Sequence, residues 1–422
     1  MPEPNSPLSA SAQASPEARS AASLLRSTTT VRARANALLE RARRGESSCF
    51  NVHEAALPAV ARLVAELTRA RYPDLKIPYH SRWRHFEAGG VNRMALLDAA
   101  LGPASAADKA RAQIDLALVS VLLDAGAGPA WAYEERLSTQ ASSHRYTRSE
   151  GLGVASFHAF MGGLFSSVAG QPLQADAEGL RQVRAEDLAR AFQVSAANPL
   201  VGLEGRAVLL RRLGDAMARQ PALFGASGRP GQLFALGAGG SVSAHDLLEA
   251  LLESLSDIWP AANQIDGLAL GDCWRHPDVA GEGQSRGWMP FHKLSQWLTY
   301  SLLEPFEWAG VKVTGLAALT GLPEYRNGGL FLDGGVLTFK NEAQARQTQR
   351  AGDPMIVEWR ALTVALLDAL APLVREQLGL TAEQMPLACV LEGGTWAAGR
   401  LLAQQLRAGQ PPLNIESDGT VF

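Results

Sequence analysis

The sequence of 422 residues contains few cysteines, no large excess of charge of either sign and no long apolar run. Its three cysteines, Cys49, Cys273 and Cys389, are far apart and form no CxxC or other zinc-binding spacing. An odd number of scattered cysteines argues against a disulfide framework and indicates a reducing compartment. We therefore expect a cytoplasmic protein that holds no metal.

The charge balance and the apolar stretches exclude two further classes of protein. The chain has 39 Lys and Arg against 42 Asp and Glu, which gives a net charge of −3. This balance gives no reason to expect nucleic-acid binding, because a phosphate backbone requires a clustered positive field. The most apolar stretches, 114–123 and 361–374, are short or carry Asp115 and Asp368. Neither reaches the roughly 20 apolar residues of a membrane span. We expect a soluble protein that binds neither nucleic acid nor membrane, although a local basic pocket for one phosphate remains compatible with this charge.

Apolar residues recur at spacings of three and four through most of the chain, which predicts helices. The clearest predicted helices cover 23–38, 55–72, 106–124, 203–219, 243–259, 290–303, 356–378 and 395–408. In two places, 330–339 and 413–422, short apolar runs flank an Asp-Gly turn, which predicts β-hairpins. The predicted fold is mainly α, with a small β-sheet formed by the two C-terminal hairpins.

Two compositional shifts suggest the domain organisation. Residues 1–20 are rich in Ser, Ala and Pro and predict a disordered tail. Residues 21–422 then form one largely helical catalytic unit. The Gly- and Pro-rich stretch 220–243 is the best candidate for a split of this unit into two lobes.

The sequence contains no GxGxxG, GxxxxGK[ST] or HExxH motif, so we sought candidate sites among clustered polar and aromatic residues. The first cluster is Asp272, Trp274, Arg275 and His276, just before a proline. A buried Trp274 would draw the three polar side chains into one pocket. The alternative is a surface loop in which Asp272 pairs with Arg275.

Two further clusters follow downstream. His292 and Lys293 come just after Pro290, in the predicted first turn of a helix, where free amides favour a phosphate. An ordinary amphipathic helix is the alternative. Glu324, Tyr325 and Arg326 lie between a proline and Gly-Gly, so one loop can present a carboxylate, a phenol and a guanidinium.

Other charged residues have simpler interpretations. Asp333 fits a turn residue of the first hairpin. Arg82, Arg84 and His85 form either a basic rim of the site or an exposed positive loop. Glu358 and Arg360 are predicted to pair on a long helix, because an unpaired buried carboxylate is costly.

Four long strings resemble the uracil-catabolism protein four family, a family also known as a domain of unknown function. They are LLDAGAGPAW at 122–131, LTGLPEYRNGGLF at 319–331, VEWRALT at 357–363 and PLNIESDGTVF at 412–422. The resemblance extends from about residue 21 to residue 422 and implies a role in a non-canonical pyrimidine degradation route. In that route uracil becomes a ribonucleotide, a cyclohydrolase-like enzyme opens the ring, and a ribosylurea-type intermediate yields urea.

A shorter likeness concerns the Glu324-Tyr325-Arg326 motif, which is similar to one in queuosine-phosphate N-glycosidase proteins. That likeness implies a helical, DNA-glycosylase-like architecture and an N-glycosidase that converts a ribosylurea 5′-phosphate to urea and ribose 5-phosphate. The alternatives are an amidohydrolase or lyase acting on the ring-opened nucleotide, or a non-catalytic partner of the ring-opening enzyme.

The N-glycosidase hypothesis gives each candidate residue a role. Either Asp272 or Glu324 supplies the carboxylate that orients water, with Tyr325 and His276 as polar supports. The phosphate of the nucleoside-like substrate is assigned to Arg275, His292, Lys293 and Arg326. The chemistry needs no metal or cofactor, and other enzymes of the pathway are possible partners.

Overall fold

The computed structural model describes residues 14–124, 126–136, 143–259 and 263–416. The α-helices in this part of the chain are α1 (Pro16–Arg26), α2 (Thr28–Arg43), α3 (Leu57–Arg71), α4 (Trp83–Phe86), α5 (Arg93–Leu101), α6 (Ala106–Leu122), α7 (Arg148–Met161), α8 (Ala177–Gln182), α9 (Ala185–Ala191), α10 (Leu203–Ala218), α11 (Pro221–Phe224), α12 (Ala244–Leu255), α13 (Lys293–Trp308), α14 (Tyr325–Asp333), α15 (Glu342–Ala345), α16 (Pro354–Leu378), α17 (Leu387–Val390) and α18 (Trp396–Arg407). A π-helix, Leu391–Thr395, joins the last two.

Short strands accompany these helices. They are β1 (Phe50–Val52), β2 (Ala132–Glu135), β3 (His144–Thr147), β4 (Ser241–Ser243), β5 (Gln264–Ile265), β6 (Leu268–Ala269), β7 (Cys273–Arg275), β8 (Trp288–Pro290), β9 (Lys312–Thr314), β10 (Leu337–Phe339), β11 (Gln349–Arg350) and β12 (Ile415–Glu416). Antiparallel pairs are β1–β10, β2–β3, β5–β6 and β7–β8, and parallel pairs are β4–β9 and β11–β12. The predicted mainly α fold with a small amount of sheet is confirmed.

The predicted hairpin at 330–339 is wrong. At 330–339 the chain is helical up to Asp333, and the following β10 pairs with β1, nearly 290 residues earlier. Gly335 adopts a φ of 72°, so the glycines end a helix and do not form a hairpin turn. Asp333 binds Arg407 with both oxygens at 2.6 Å, which gives it a partner outside any turn. In the second predicted hairpin, β12 pairs in parallel with β11, and residues 417–422 lie outside the described residues.

The chain divides into two compact units. Among the described residues, unit 1 comprises 14–80, 263–296 and 315–416, and unit 2 comprises the described parts of 81–259 together with 297–314. The stretch 220–243, the predicted split between lobes, lies wholly within unit 2. There Arg229 pairs with the buried Asp115 at 2.7 Å, and the Gly231 amide donates to the same carboxylate at 2.6 Å. These bonds anchor the stretch to a core helix, α6.

Each unit has a helix that is buried on almost all sides. In unit 1 this is α16, whose residues from Met355 to Leu367 are buried and which packs against α2, α3 and α14. In unit 2 it is α6, buried from Ala112 to Leu122 and packed against α7 and the 3₁₀ segment Pro230–Gly237. A helix that is apolar all round marks the centre of a core. Within the described ranges, no helix combines the length and apolarity needed to cross a membrane.

The predicted disordered tail needs correction for residues 14–20, while residues 1–13 lie outside the described part. Helix α1 begins at Pro16, because Ser15 caps its first turn by accepting the Ala18 amide at 3.1 Å. Ala18 and Leu25 are fully buried in an apolar cluster with Cys273. Burial of this face explains why a segment of such composition is ordered.

Removal of this cap by mutation tests whether Ser15 stabilises α1. Ser15→Ala is expected to lower the local stability of α1 by about 1 kcal/mol, which makes its amides exchange roughly fivefold faster with deuterium. Ser243→Ala is the matched control, because Ser243 caps α12 in unit 2 by accepting the Asp246 amide at 3.3 Å. Unchanged exchange in α1 of the Ser15 variant would refute the cap.

Candidate active site

Asp272 of unit 1 is a buried carboxylate held on both oxygens. The guanidinium of Arg360, only 1 % exposed, donates one hydrogen bond to each oxygen at 2.7 Å. Trp274 Nε1 donates to the same carboxylate at 2.7 Å, and the Lys293 amide does so at 3.0 Å. Burial alone would raise the pKa of Asp272, but Arg360 and the other donors bring it to about 2. The group is therefore a permanently ionised anchor.

This anchor positions the start of α13. Besides accepting the Lys293 amide on its side chain, Asp272 accepts the amides of Phe291 and His292 on its main-chain oxygen, at 2.9 and 3.2 Å. The helix begins at Lys293 and not at the predicted Pro290, because Pro290 lies in β8, paired opposite β7. The alternative pairing of Asp272 with Arg275 does not occur, since Arg360 takes that place.

Glu324 is the second candidate carboxylate, and its environment differs from that of Asp272. It caps α14 by accepting the Arg326 and Asn327 amides at 2.7 and 2.6 Å. Glu is an unusual residue for this position, where Ser, Thr, Asp and Asn are preferred. Burial raises the pKa of Glu324, and the charges of Lys293 and His80 oppose that rise. Glu324 as a whole residue is partly exposed, and its carboxyl group has an elevated proton affinity.

His80, one of the two basic groups that act on Glu324, is itself held by an acid. Its Nδ1 lies 2.9 Å from Glu392 Oε2, and its ring centre lies 6.3 Å from that of Trp396. Glu392 Oε1 accepts further hydrogen bonds from Arg71 at 2.6 Å and from the Tyr72 hydroxyl at 3.0 Å. A carboxylate bound to one ring nitrogen fixes the orientation of an imidazole, as in many catalytic and metal sites.

The π-helix that carries Glu392 makes this arrangement possible. Gly393 and Gly394 follow Glu392, and a Cβ on Gly394 would lie 2.4 Å from the Val64 carbonyl oxygen. Only glycine therefore allows the segment to approach α3 this closely. π-helical turns are frequent at functional sites. Sequence analysis missed Glu392, although the Glu-Gly-Gly run inside a helical pattern was a usable signal.

Titration of Glu392 provides a stability test. Burial raises the pKa of Glu392, but His80 and Arg71 overcome this and bring it to about 2. Because the pKa is lowered in the folded state, its contribution is complete above the unfolded pKa and is lost as the pH falls. The difference in free energy of unfolding between the wild type and Glu392→Gln should shrink by about 3 kcal/mol from pH 5 to pH 2.

Urea denaturation across this pH range measures that difference. The exposed Glu416, 3.7 Å from Arg350 at its nearest oxygen, provides the control variant Glu416→Gln. Glu416→Gln should have little effect on the free energy of unfolding, because an exposed ion pair contributes little. A difference for Glu392→Gln that does not change with pH would contradict the stabilisation of the Glu392 carboxylate by His80 and Arg71.

Two predicted phosphate ligands contact backbone carbonyls in unit 1. His292 is buried, and its Nε2 lies 2.9 Å from the Leu25 carbonyl oxygen. Burial also lowers its pKa, which favours the neutral ring. Arg326 is buried, donates to the Gly409 carbonyl at 3.3 Å and lies 4.8 Å from the Tyr325 ring centre. Both side chains are therefore engaged in structural contacts. Lys293 is the predicted phosphate ligand whose charge acts on the pKa of Glu324.

The other predicted residues lie elsewhere. Arg275 and His276 line a separate pocket of unit 1, whose lining includes none of Asp272, Lys293 and Glu324. In unit 2, the predicted exposed loop at Arg82 is wrong, because this side chain is fully buried and pairs with Asp124 at 3.1 Å.

Arg84 and the pair of Glu358 and Arg360 also have surroundings that differ from the predicted ones. Arg84 of unit 2 binds Glu304 at 3.0 Å. The predicted local pair of Glu358 with Arg360 is replaced by the Arg360–Asp272 pair, and burial raises the pKa of Glu358.

Comparison with known proteins adds evidence independent of this geometry. Residues 24–422 match the family described as "Protein of unknown function (DUF1688)". The chain is 40 % identical over 406 residues to Protein urg3 of Schizosaccharomyces pombe, which covers 93 % of this chain and 96 % of that protein. It is 40 % identical over 380 residues to Uracil catabolism protein 4 of Lachancea kluyveri, with 82 % and 85 % covered.

Proposed function

The chain belongs to this DUF1688 family, and from that premise we propose that it is a hydrolase of uracil catabolism that cleaves the N-glycosidic bond of a ribosylurea 5′-phosphate. The resemblance seen in the sequence motifs is confirmed by the family match and by both relatives. A role in uracil catabolism is supported by the name of the relative from Lachancea kluyveri. The bond cleaved and the residues used are our proposal.

The reaction needs one water and two proton transfers. The bond between C1′ of the ribose and the urea nitrogen breaks, and the electron pair leaves with nitrogen. Water adds its oxygen to C1′ and gives one proton to a base, while an acid protonates the leaving nitrogen. The products are urea and ribose 5-phosphate, so atoms and charge balance without a redox partner.

Glu324 is our candidate for the base. Burial raises its pKa above that of an ordinary carboxylate, which makes it a stronger base toward water. In its ionised form the same carboxylate stabilises positive charge that develops at C1′. Asp272 is unsuited to this role, because its two oxygens already receive four hydrogen bonds from Arg360, Trp274 and the Lys293 amide.

His80 is our candidate for the acid, with Lys293 as the cation for the substrate phosphate. Glu392 holds Nδ1 of His80 at 2.9 Å, which fixes the orientation of the ring. Lys293 sits at the first turn of α13, where the helix dipole also favours an anion. Tyr325 directly follows Glu324 and remains a candidate polar support.

The observation that carries this proposal is the environment of Glu324. The carboxylate of this partly exposed residue has a raised pKa and experiences the charges of Lys293 and His80 within one unit. Perturbed carboxylates with charged neighbours cluster at catalytic sites. A purely structural helix cap needs neither the glutamate nor the two basic groups.

Carbon-13 NMR of substrate labelled at C1′ tests the bond that breaks. An N-glycosidase converts the single C1′ signal of ribosylurea 5′-phosphate into the α and β signals of free ribose 5-phosphate. An amidohydrolase or lyase acting on the urea portion leaves C1′ attached to nitrogen. Line broadening without new signals would indicate a non-catalytic partner. Either of the last two results overturns the proposal.

A further inference from the structure

A pocket of about 400 Å³ in unit 1 is lined by basic side chains and by the start of α16. Its lining includes Arg275, His276, Val279, Arg286, Gly352 and Pro354. All of these residues belong to unit 1, and the carboxylates of the candidate active site are absent from the lining. The pocket is large enough for more than a single inorganic ion.

His276 brings an unused hydrogen-bond donor to this pocket. The residue is 1 % exposed, and its Nδ1 accepts the Asp278 amide at 3.2 Å. Burial lowers the pKa of His276, so the ring is neutral at pH 7 and carries its proton on Nε2. Within the described ranges, this buried Nε2 has no hydrogen-bond partner. A buried donor without a partner is costly and calls for an explanation, such as a ligand.

Two guanidinium groups supply positive charge. Arg275 lies 4.0 Å from the Trp288 ring centre and donates to the Arg286 carbonyl at 2.6 Å. These contacts fix the position of the side chain, and the hydrogen bond uses one of the five N–H donors of the guanidinium. Arg286 is exposed, and its side chain forms no hydrogen bond or ion pair with the described part of the chain. Paired guanidinium groups are well suited to phosphate oxygens.

The start of α16 adds to the positive field. Pro354 is the first residue of this 25-residue helix, whose dipole favours an anion at that end. Gly352 lets the backbone lie against Trp274, since a Cβ there would come within 2.7 Å of the indole ring. Two acidic residues close to these in sequence have partners of their own. Asp278 pairs with Arg41 at 3.1 Å, and Asp353 accepts the Arg350 amide at 2.7 Å.

We propose that this pocket binds the phosphoryl group of a small phosphate monoester. Guanidinium and imidazole donors around one cavity suit the oxygens of a phosphate dianion. Val279 provides apolar wall for the remainder of the molecule. The inference does not depend on the proposed function, because it uses a different set of side chains.

Hydrogen exchange of the full chain, titrated with inorganic phosphate, tests this site. In the wild type, phosphate should protect amides in 283–287 and 355–358. Arg286→Gln should weaken this protection at least about tenfold in apparent Kd, since it removes a charged donor without touching the core. His276→Asn should do the same, because Asn keeps an acceptor for the Asp278 amide but lacks the Nε2 donor.

Arg346→Gln is the matched control. Arg346 is an exposed arginine of unit 1 whose side chain forms no hydrogen bond or ion pair with the described residues, and its replacement removes the same charge. It should leave the phosphate response of 283–287 and 355–358 unchanged. Absence of protection in the wild type, or equal weakening by Arg346→Gln, would overturn the proposal. Because exchange reports the location, protection confined to the start of α13 would count against this pocket while leaving the proposed function intact.

Discussion

Glu324→Gln is expected to lower kcat for urea release from ribosylurea 5′-phosphate by at least about 10²-fold. Glutamine has almost the same size and can still accept a backbone amide at the start of α14. It cannot take a proton from water, and it brings no negative charge to C1′. Steady-state assay of urea, together with the thermal midpoint of each variant, separates this chemical loss from unfolding.

Glu324→Asp distinguishes a catalytic carboxylate from a helix cap. Aspartate is a preferred N-cap residue, so this variant should be as stable as the wild type or more so. Its carboxylate is one methylene shorter, and a displacement of about 1 Å is expected to lower kcat by about 10- to 100-fold. If Glu324 only caps the helix, Asp should restore full activity. That result, or wild-type activity in Glu324→Gln, would remove Glu324 from the mechanism.

Arg360→Met is expected to destabilise unit 1 by about 3–5 kcal/mol. The substitution leaves the Asp272 carboxylate buried without its bidentate partner, and an uncompensated buried charge is the costliest local defect in this region. The start of α13 should loosen as well, because Asp272 holds the Lys293 amide. The shift of the urea midpoint and the exchange of amides in α13 measure these two effects.

Two further variants make this prediction specific. Arg44 forms a comparable bidentate bond with Glu46, at 2.7 and 3.0 Å, but the two side chains are 55 % and 42 % exposed, so Arg44→Met should have little effect on stability. The double variant Asp272→Asn with Arg360→Met removes both charges and should recover part of the loss. Equal losses of stability for Arg360→Met and Arg44→Met would contradict the importance of burial.

Local signals in the sequence were sufficient for most helices but not for the pairing of strands. The predicted helix at 55–72 is observed as Leu57–Arg71, and the predicted helix at 203–219 is observed as Leu203–Ala218. The hairpin at 330–339 failed because Asp-Gly-Gly can end a helix as well as form a turn. The partner of β10 is β1, and no local pattern near residue 337 identifies a strand at residue 50.

The candidate site shows the same contrast between local signals and long-range contacts. Asp272, Lys293 and Glu324 could be singled out because polar residues interrupted by proline and glycine stand apart from helical periodicity. The partners of Arg360 and Glu392 could not be predicted from local patterns, since they are distant in sequence: Asp272 is 88 residues from Arg360, and His80 is 312 residues from Glu392. Which side of a helix faces such a partner is decided by tertiary packing.

The central claim is that this protein releases urea by breaking a glycosidic bond. The most direct measurement mixes the full chain with ribosylurea 5′-phosphate and quantifies urea and ribose 5-phosphate in the same samples over time. We expect the two products to accumulate in a 1:1 ratio at every time point. Ammonia or another nitrogen product without ribose 5-phosphate, or no product at all, would contradict the claim.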